Sequence, residues 1–289
     1  MKKWLSIQLI YLPLFIFLSM HCANVQADDG LLEPQASLLA KDTEGFSAAL
    51  GLSLTSAADY AGSDEYGLGL QLDGALYWQQ ANHLWYWEGL DLNDIGLGRR
   101  YLKQGSWLLD TGIRHETVLP TSQTQAAGIN NFPHRGSHVF AFIETKHGLN
   151  DSGRNWISAR VSAGPSRYGW LAKGAVGHTF DFDFLDEAKV KGNTGTEISL
   201  FTTFASADHL NDYFGISQED EITSGLSQIT LDAGYRSSGL LLSYGRNLNE
   251  TIQLSAEADI EFYASDIKES DLVKEGTQKN LRISLFWIF

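Results

Sequence analysis

The chain has 289 residues, of which 35 are acidic and 21 basic, and its formal net charge is −14. This negative charge argues against nucleic-acid binding, which requires a basic surface. The only cysteine is Cys22, so the rest of the chain can form no disulfide and no cysteine-ligated metal site.

Residues 1–27 have the pattern of a secretory signal peptide. A positively charged start precedes the apolar, almost uncharged residues 4–20, and a small–x–small cleavage pattern ends at Ala27. We therefore expect residues 28–44 to form a mobile periplasmic lead and residues 45–289 to form the folded domain. Since no other run approaches the ~20 apolar residues of a membrane helix, the exported chain is either soluble in the periplasm or crosses the outer membrane as strands.

From residue 45 onward, apolar and polar residues alternate in segments of about ten residues, the length of a tilted membrane-crossing strand. The aromatic content of 12% and the 28 glycines also favour strands. We predict an all-β fold, namely a closed antiparallel transmembrane β-barrel of about 12 strands, with about 10 as the alternative and with periplasmic termini. The predicted strands are 45–55, 66–78, 82–91, 106–116, 137–147, 155–164, 169–182, 195–206, 226–236, 238–246, 251–263 and 278–289.

The last predicted strand carries an uninterrupted apolar face. Alternate positions of a strand point to the same side of a sheet, and here that side ends in an aromatic residue. In a barrel, such a face meets lipid and its aromatic side chains lie at the interface, so we interpret this segment as the terminal insertion strand. A buried edge strand of a soluble β-sandwich is the alternative. The residues of this face are Leu281, Ile283, Leu285, Trp287 and Phe289.

Strand parity assigns each connection to one side of the membrane. If the last strand runs down to a periplasmic C-terminus, connections 117–136 and 207–225 face the periplasm, together with 79–81 and 247–250. The first two are long for periplasmic turns, which indicates either an error of one in the strand count or an element kept on the inner side. The connections predicted to face outside are 56–65, 92–105, 183–194 and 264–277.

The positions predicted to face the lumen carry charges of both signs. Because isolated buried charges are unfavourable, we expect a structural lattice of ion pairs that fills a narrow interior. A cation-selective pore lined by Glu257, Asp259 and Glu261 is the alternative. The predicted lattice comprises Asp73, Asp110, Arg114, Arg160, Lys173, Asp232, Glu257, Asp259, Glu261 and Arg282.

No segment has the spacing of a catalytic, cofactor-binding or metal-binding site. The histidines are scattered, and neither an H-E-x-x-H set nor a G-x-S-x-G nucleophile motif occurs. We therefore predict no cofactor and a protein that is not an enzyme. An outer-membrane lipid hydrolase that pairs Ser243 or Ser255 with a histidine is an open alternative. The acidic loops around Asp59 and Asp266 are most simply solvated loop tips, and the alternative is that they hold divalent cations that bridge to lipopolysaccharide. We expect outer-membrane lipid and lipopolysaccharide as partners.

Several short motifs follow one another in a characteristic order and spacing. Residues Tyr60–Ser63 read Y-A-G-S, residues 211–216 read N-D-Y-F-G-I, and Ser224 and Gly225 follow. With the ending from residue 264 onward, these motifs resemble those of the MipA/OmpV family of outer-membrane proteins. That family has a proline where Asp271 stands here, so we expect the shape of this loop to differ.

This resemblance implies a barrel that scaffolds peptidoglycan-remodelling enzymes, bridging a periplasmic lytic transglycosylase and a peptidoglycan synthase, or that supports envelope integrity. The segment around Tyr213 and Phe214 is then either a docking patch for such a partner or a plug in the barrel mouth. A narrow channel for small, preferentially cationic solutes is the alternative function. The partner or plug segment comprises Asn211, Tyr213, Phe214 and Gly215.

Overall fold

A computed structural model describes residues 44–90, 95–103, 107–119, 132, 135–149, 154–165, 167–180 and 195–289. The predicted signal peptide and residues 28–43 of the predicted lead lie outside these ranges, as does the predicted loop 183–194. Across the described ranges, no helix combines the length and the apolar composition needed to cross a membrane.

Almost all of the regular structure consists of strands. The strands are β1 (Gly45–Ala58), β2 (Tyr66–Gln80), β3 (His83–Glu88), β4 (Gly96–Lys103), β5 (Trp107–Leu119), β6 (Arg135–Gly148), β7 (Asn155–Ala163), β8 (Trp170–Phe180), β9 (Gly195–Ala205), β10 (Gly234–Asn247), β11 (Ile252–Tyr263) and β12 (Thr277–Ile288). Three short helices lie in the connections that the structure describes: α1 (Ala207–Tyr213), α2 (Gln218–Ser224) and α3 (Ser265–Lys268). Each strand pairs with its sequence neighbours, and β1 pairs with β12 to close the barrel. The predicted closed antiparallel barrel of 12 strands is therefore confirmed.

The alternation of the sequence becomes an apolar outside and a polar inside. On β1, Leu50, Leu52 and Leu54 are exposed on the outer surface, whereas Ser53 and Thr55 are buried in the lumen. On β12, Leu281, Ile283, Trp287 and Phe289 are likewise exposed, while Leu285 is half-buried. A wall of exposed leucine, isoleucine and valine is stable only when hydrocarbon covers it, so this outer face is lipid-facing.

Exposed aromatic side chains form a girdle at each end of the barrel. We call the end at which β1 begins and β12 finishes the terminal end, and the opposite one the capped end. The girdle at the capped end contains Tyr66, Trp170, Phe204, Tyr235 and Phe262, and that at the terminal end contains Phe46, Trp78, Trp85, Trp107, Phe180 and Trp287. Strand β8 joins the two girdles with 11 residues. At ~3.3 Å per residue and a tilt of ~40° such a strand spans roughly 25 Å, the height of the apolar band of an outer-membrane barrel.

Two errors in the predicted strand positions cancel each other, so the predicted number of strands is still correct. Strand β4 was not predicted, because its inward positions hold Gly96, Gly98 and Arg100 and so lack an alternating pattern. At Gly98 a Cβ would lie 2.2 Å from the Tyr86 hydroxyl oxygen, so a larger residue would not fit there. The predicted strands 226–236 and 238–246 are in fact the single strand β10, preceded by an irregular segment.

The added strand moves several connections to the other end of the barrel. The helical segment 206–233 and the strand ends that flank residues 120–134 lie at the capped end, with the connections 59–65 and 264–276. The prediction that 117–136 and 207–225 share a side with the termini is therefore wrong. The predicted loop 183–194 was expected opposite the termini, but it falls between β8 and β9, whose flanking ends lie at the terminal end. The capped end thus carries the longest connection, 206–233, together with 120–134 and 264–276, whereas the terminal end carries one long connection, 181–194.

Placing a charge in the middle of the outer face tests whether lipid covers it. Leu200 lies mid-strand on β9, is 59% exposed, and has Val176 and Leu240 as cross-strand neighbours. We expect Leu200→Arg to lower the free energy of unfolding by about 2–4 kcal/mol, because the charge would enter hydrocarbon. Urea unfolding of protein folded into phospholipid vesicles measures this effect, with Leu200→Ala as the uncharged control. If both variants are equally stable, the outer face does not contact lipid.

Candidate functional site

The connections at the capped end pack together into a cap, which we define as residues 59–65, 206–233 and 264–276. Their apolar side chains share one buried cluster with residues of the upper barrel wall. The buried members of this cluster are Tyr60, Phe132, Leu171, Ala205, Leu210, Tyr213, Phe214, Ile216, Leu231, Tyr263, Ala264, Ile267, Leu272 and Val273. The cap is therefore a small hydrophobic core at the mouth of the barrel.

Helices α1 and α2 are short, so side-chain caps fix their ends. The Ser206 hydroxyl accepts a hydrogen bond from the His209 amide at the start of α1. At the start of α2, Ser217 and Asp220 form a reciprocal capping box. Gly225 ends α2 in the left-handed conformation, at a φ of 76°, which a glycine adopts without strain. Local caps thus stabilise helices that are too short to be stable alone.

Arg135, at the beginning of β6, anchors the cap to the wall. Its Nη1 donates to the carbonyl oxygens of Asn211 and Asp212 at 2.7 and 2.8 Å. Its Nη2 donates to the carbonyl oxygen of Gly215 at 2.7 Å and to Asp220 Oδ2 at 2.9 Å. One guanidinium therefore binds carbonyls at the end of α1 and offsets the charge of the α2 capping residue.

Asn211 and Gly215 fix the path of the cap backbone. Asn211 Nδ2 donates to the Leu231 carbonyl at 2.7 Å, and its Oδ1 accepts from the Leu231 amide at 2.8 Å. A Cβ at residue 215 would lie 2.6 Å from Asn211 Oδ1 and 2.8 Å from its backbone, so only glycine fits. These contacts give the N-x-x-x-G spacing a structural role.

Tyr213 and Phe214 occupy the interior of the cap. Phe214 is fully buried, its ring lies 5.3 Å from that of Tyr263, and its carbonyl accepts a hydrogen bond of 2.5 Å from Ser270. The Tyr213 hydroxyl donates to Glu116 on the barrel wall. Of the two sequence alternatives for this segment, the geometry supports the plug, because neither side chain offers an exposed docking surface.

The Tyr60–Ser63 motif forms a tight turn within the same cap. The Ser63 amide donates to the Tyr60 carbonyl at 3.0 Å, and Gly62 takes a φ of 92°. The Gly62 carbonyl accepts from the amides of Lys274 and Glu275 at 2.7 and 3.0 Å, which ties this turn to the 264–276 connection.

Asp271, where the sequence resemblance led us to expect a proline, tethers two cap segments. Its Oδ2 accepts from the Ser227 amide at 2.7 Å. Hydrogen bonds from Ser227 lower the pKa of the Asp271 carboxyl below its usual value of 3.8. The tether therefore stabilises the cap above that usual pKa, and this contribution is lost as the pH falls through the lower pKa of the folded state.

Below the cap, the lumen contains paired charges. Arg282 lies 2.6 Å from Asp73, and Arg100 lies 2.7 Å from Asp110, whose other oxygen accepts from the Tyr86 hydroxyl at 2.9 Å. Such pairing offsets the desolvation of charges inside a closed barrel.

The other charged residues of the predicted lattice, apart from Asp232, also lie beside a polar, charged or aromatic side chain. Asn280 Nδ2 donates to Asp259 at 3.0 Å, Glu261 accepts from the Ser237 hydroxyl, and Arg114 lies 3.6 Å from Glu88. Lys173 and Arg160 lie over the rings of Phe201 and Phe142 at 4.2 and 4.4 Å. Glu257 faces Arg282 in the β11–β12 register.

One predicted member of the lattice is wrong, and several members were missed. Asp232 is exposed and lies outside the strands, in the irregular segment before β10, because that segment is part of the cap. The structure adds Glu88, Arg100, Glu144, Lys146 and Glu197, and Lys146 pairs with Glu197 at 3.1 Å. Glu144, Lys146 and Glu197 lie at inward positions of β6 and β9, which were predicted correctly, so the alternating pattern of those strands could have identified them. Arg100 could not be identified in this way, because its strand β4 was not predicted.

The described residues offer no support for the hydrolase alternative. The cross-strand neighbours of Ser243 are Glu197 and Glu257, and those of Ser255 are Gly245 and Ser284, so none of them is a histidine. Among the described residues, no group of three or more histidine, cysteine, aspartate or glutamate side chains could hold a metal ion.

A closed barrel with a lipid-facing apolar band, two aromatic girdles and a polar lumen is an outer-membrane β-barrel. The sequence matches the family described as "MltA-interacting protein MipA" over residues 50–289. The chain therefore belongs to this family and is an integral protein of the outer membrane. Among curated proteins, the sequence has no significant match.

Solved structures with a similar chain path are distant in sequence. An outer membrane channel from Pseudomonas putida F1 is 10% identical, with a TM-score of 0.44 over 91% of this chain and 100% of that chain. The CymD monoaromatic hydrocarbon channel is 10% identical, with a TM-score of 0.43 over 92% and 93%. The NanC porin is 10% identical, with a TM-score of 0.42 over 82% and 98%.

Removing the Arg135 guanidinium should open the cap without unfolding the barrel. We expect Arg135→Ala to cost the cap about 3–5 kcal/mol, because Asp220 would remain buried without its partner. Hydrogen–deuterium exchange in residues 207–224 should then accelerate, while exchange in β11 and β12 should be unchanged. Arg135→Met combined with Asp220→Leu removes both charges and serves as the control, with an expected smaller loss. Unchanged exchange in Arg135→Ala would contradict the role of Arg135 as the anchor.

Proposed function

We propose that this protein is a non-enzymatic scaffold of the outer membrane, which binds peptidoglycan-remodelling enzymes in the periplasm. The observation that carries the proposal is the cap, which forms its own hydrophobic core at the mouth of the barrel above a lumen of paired charges. A barrel built in this way is better suited to present a surface than to pass solutes.

The family description supports a partner of a particular class. The family is described as "MltA-interacting", and the resemblance of the sequence motifs implies a lytic transglycosylase together with a peptidoglycan synthase. A role in envelope integrity would follow from the binding of these enzymes, because they act on the cell wall.

The periplasmic surface of this scaffold is the terminal end. Outer-membrane barrels have short turns in the periplasm and longer loops outside. Most connections at the terminal end, namely 81–82, 104–106, 149–154 and 248–251, are short, and 181–194 is the exception, whereas the capped end has three long connections, 120–134, 206–233 and 264–276. We therefore place both termini in the periplasm and assign partner binding to the turns of the terminal end.

Site-specific photo-crosslinking in cells tests this assignment. Asn82 and Glu250 are exposed in turns at the terminal end, and Ile222 is exposed on α2 in the cap. A photoreactive residue at position 82 or 250 should capture a peptidoglycan-cleaving or peptidoglycan-synthesising enzyme, identified by mass spectrometry. The same residue at position 222 should capture neither, since it faces away from the periplasm. Capture from position 222 alone would reverse the proposed orientation, and capture from none of the three would remove support for a scaffold.

A narrow cation channel is the second candidate, and Glu257, Asp259 and Glu261 on one strand are the observation that favours it. Under the scaffold proposal, the protein in a planar bilayer with molar potassium chloride should show no stable conductance steps, because the cap and the ion pairs fill the lumen. Discrete steps whose cation selectivity falls in Glu257→Gln or Asp259→Asn would support the channel instead.

A further inference from the structure

One basic side chain lies on the outer, lipid-facing wall rather than in the lumen. Arg99 is exposed on β4 between the outward positions of Leu97 and Tyr101, whereas its neighbour Arg100 is buried inside. On the described outer strand faces, Lys279 is another exposed cation, and it lies 3.5 Å from Glu275.

Arg99 is surrounded by aromatic side chains. Its guanidinium carbon lies 4.8 Å from the Trp85 ring centroid, and its Nη2 lies 3.1 Å from His83 Nδ1. The His83 ring is 5.1 Å from that of Tyr101, which is 6.2 Å from Trp107. We call His83, Trp85, Arg99, Tyr101 and Trp107 the outer patch. Within the described residues, Arg99 contacts His83 and Trp85 but no carboxylate.

The outer patch lies at the depth of lipid headgroups. Trp85 and Arg99 face each other in the register of β3 and β4, and the next outward pair, His83 and Tyr101, lies beside the turn at the terminal end. Trp85 and Trp107 also belong to the aromatic girdle there. Tryptophan and tyrosine are favoured at this level, where apolar chains meet polar headgroups.

An arginine in this position requires an anion from its surroundings. A charge facing hydrocarbon is unfavourable, and the penalty falls when the side chain reaches the interface and pairs there. The anions available at this depth are lipid phosphates, and a guanidinium binds a phosphate through two parallel hydrogen bonds.

We propose that the outer patch binds the phosphate of an anionic phospholipid, such as phosphatidylglycerol, in the membrane leaflet at the terminal end. Arg99 donates to the phosphate oxygens while the girdle residues Trp85, Tyr101 and Trp107 pack against the glycerol and upper acyl chains. The choice of phospholipid over lipopolysaccharide rests on the orientation given under the proposed function, whereas the site itself does not depend on any scaffold role.

Native mass spectrometry of the folded protein in detergent tests this site. With phosphatidylglycerol added, Arg99→Gln should retain about fivefold less bound lipid than the unmodified protein, the effect of losing one interfacial cation. Arg99→Lys should be intermediate, because it keeps the charge but not the paired hydrogen bonds. Lys279→Gln, which removes an exposed cation from the other end of the outer wall, is the matched control and should bind as the unmodified protein does.

Competition separates the possible sources of the phosphate. Inorganic phosphate should not displace the lipid, because it cannot use the aromatic contacts, and lipid A should compete less well than unlabelled phosphatidylglycerol. Full displacement by inorganic phosphate, preferential binding of lipid A, or equal lipid retention by Arg99→Gln and the unmodified protein would each overturn the proposal. The shift in electrophoretic mobility on heating reports folding, and if Arg99→Gln does not fold, the comparison of Arg99→Lys with Lys279→Gln decides the outcome.

Discussion

The pairing of β1 with β12 is the interaction on which the rest of the structure depends. Hydrocarbon cannot hydrogen-bond to a backbone, so a sheet that crosses a membrane must have no free edge. The seam runs from the Ala49–Ile288 pair to the Ser56–Leu281 pair and joins the two ends of the barrel sequence. Once the sheet is closed, every second residue of a strand faces lipid and must be apolar. The remaining residues face one narrow lumen and must pack together there. The charge pairs, the girdles and the cap all follow from this requirement.

The lumen shows how closure and charge are coupled. Arg282 on β12 pairs with Asp73 on β2 across β1, and Ser53 on β1 lies between them, donating to Asp73 and lying 2.6 Å from the hydroxyl of Ser284. This polar cluster spans the seam, so its partners meet only when the barrel has closed. An uncompensated charge in the interior is strongly destabilising, and the cluster therefore favours the closed register over slipped alternatives.

The sequence predicts the strands whose two faces differ in polarity. It fails where contacts with residues distant in sequence determine the local structure. Strand β12 could be predicted because its lipid-facing residues alternate with polar ones over most of its length. Strand β4 could not be predicted, because glycine at position 98 interrupts its alternating pattern. Glycine is needed there because the Tyr86 ring, which belongs to a different strand, occupies the space of a side chain. Helix α1 has only 7 residues, and its end is fixed by Arg135 from β6, a contact that no local pattern reveals. The missing strand then shifted the parity of the predicted loops, and with it the side assigned to Tyr213.

The motifs that carry the family resemblance converge on the cap. The Tyr60 turn, the Asn211–Ile216 segment and the loop around Asp271 are distant in sequence, yet they bond to one another above the lumen. Each makes backbone contacts that few other residues could replace, as at Gly215, so these motifs are explained by the geometry of closure. Their contacts in the structure are therefore with one another and with the barrel wall. In the orientation proposed above, the cap lies opposite the periplasmic termini, so that proposal assigns the recognition of a periplasmic enzyme to the turns of the terminal end.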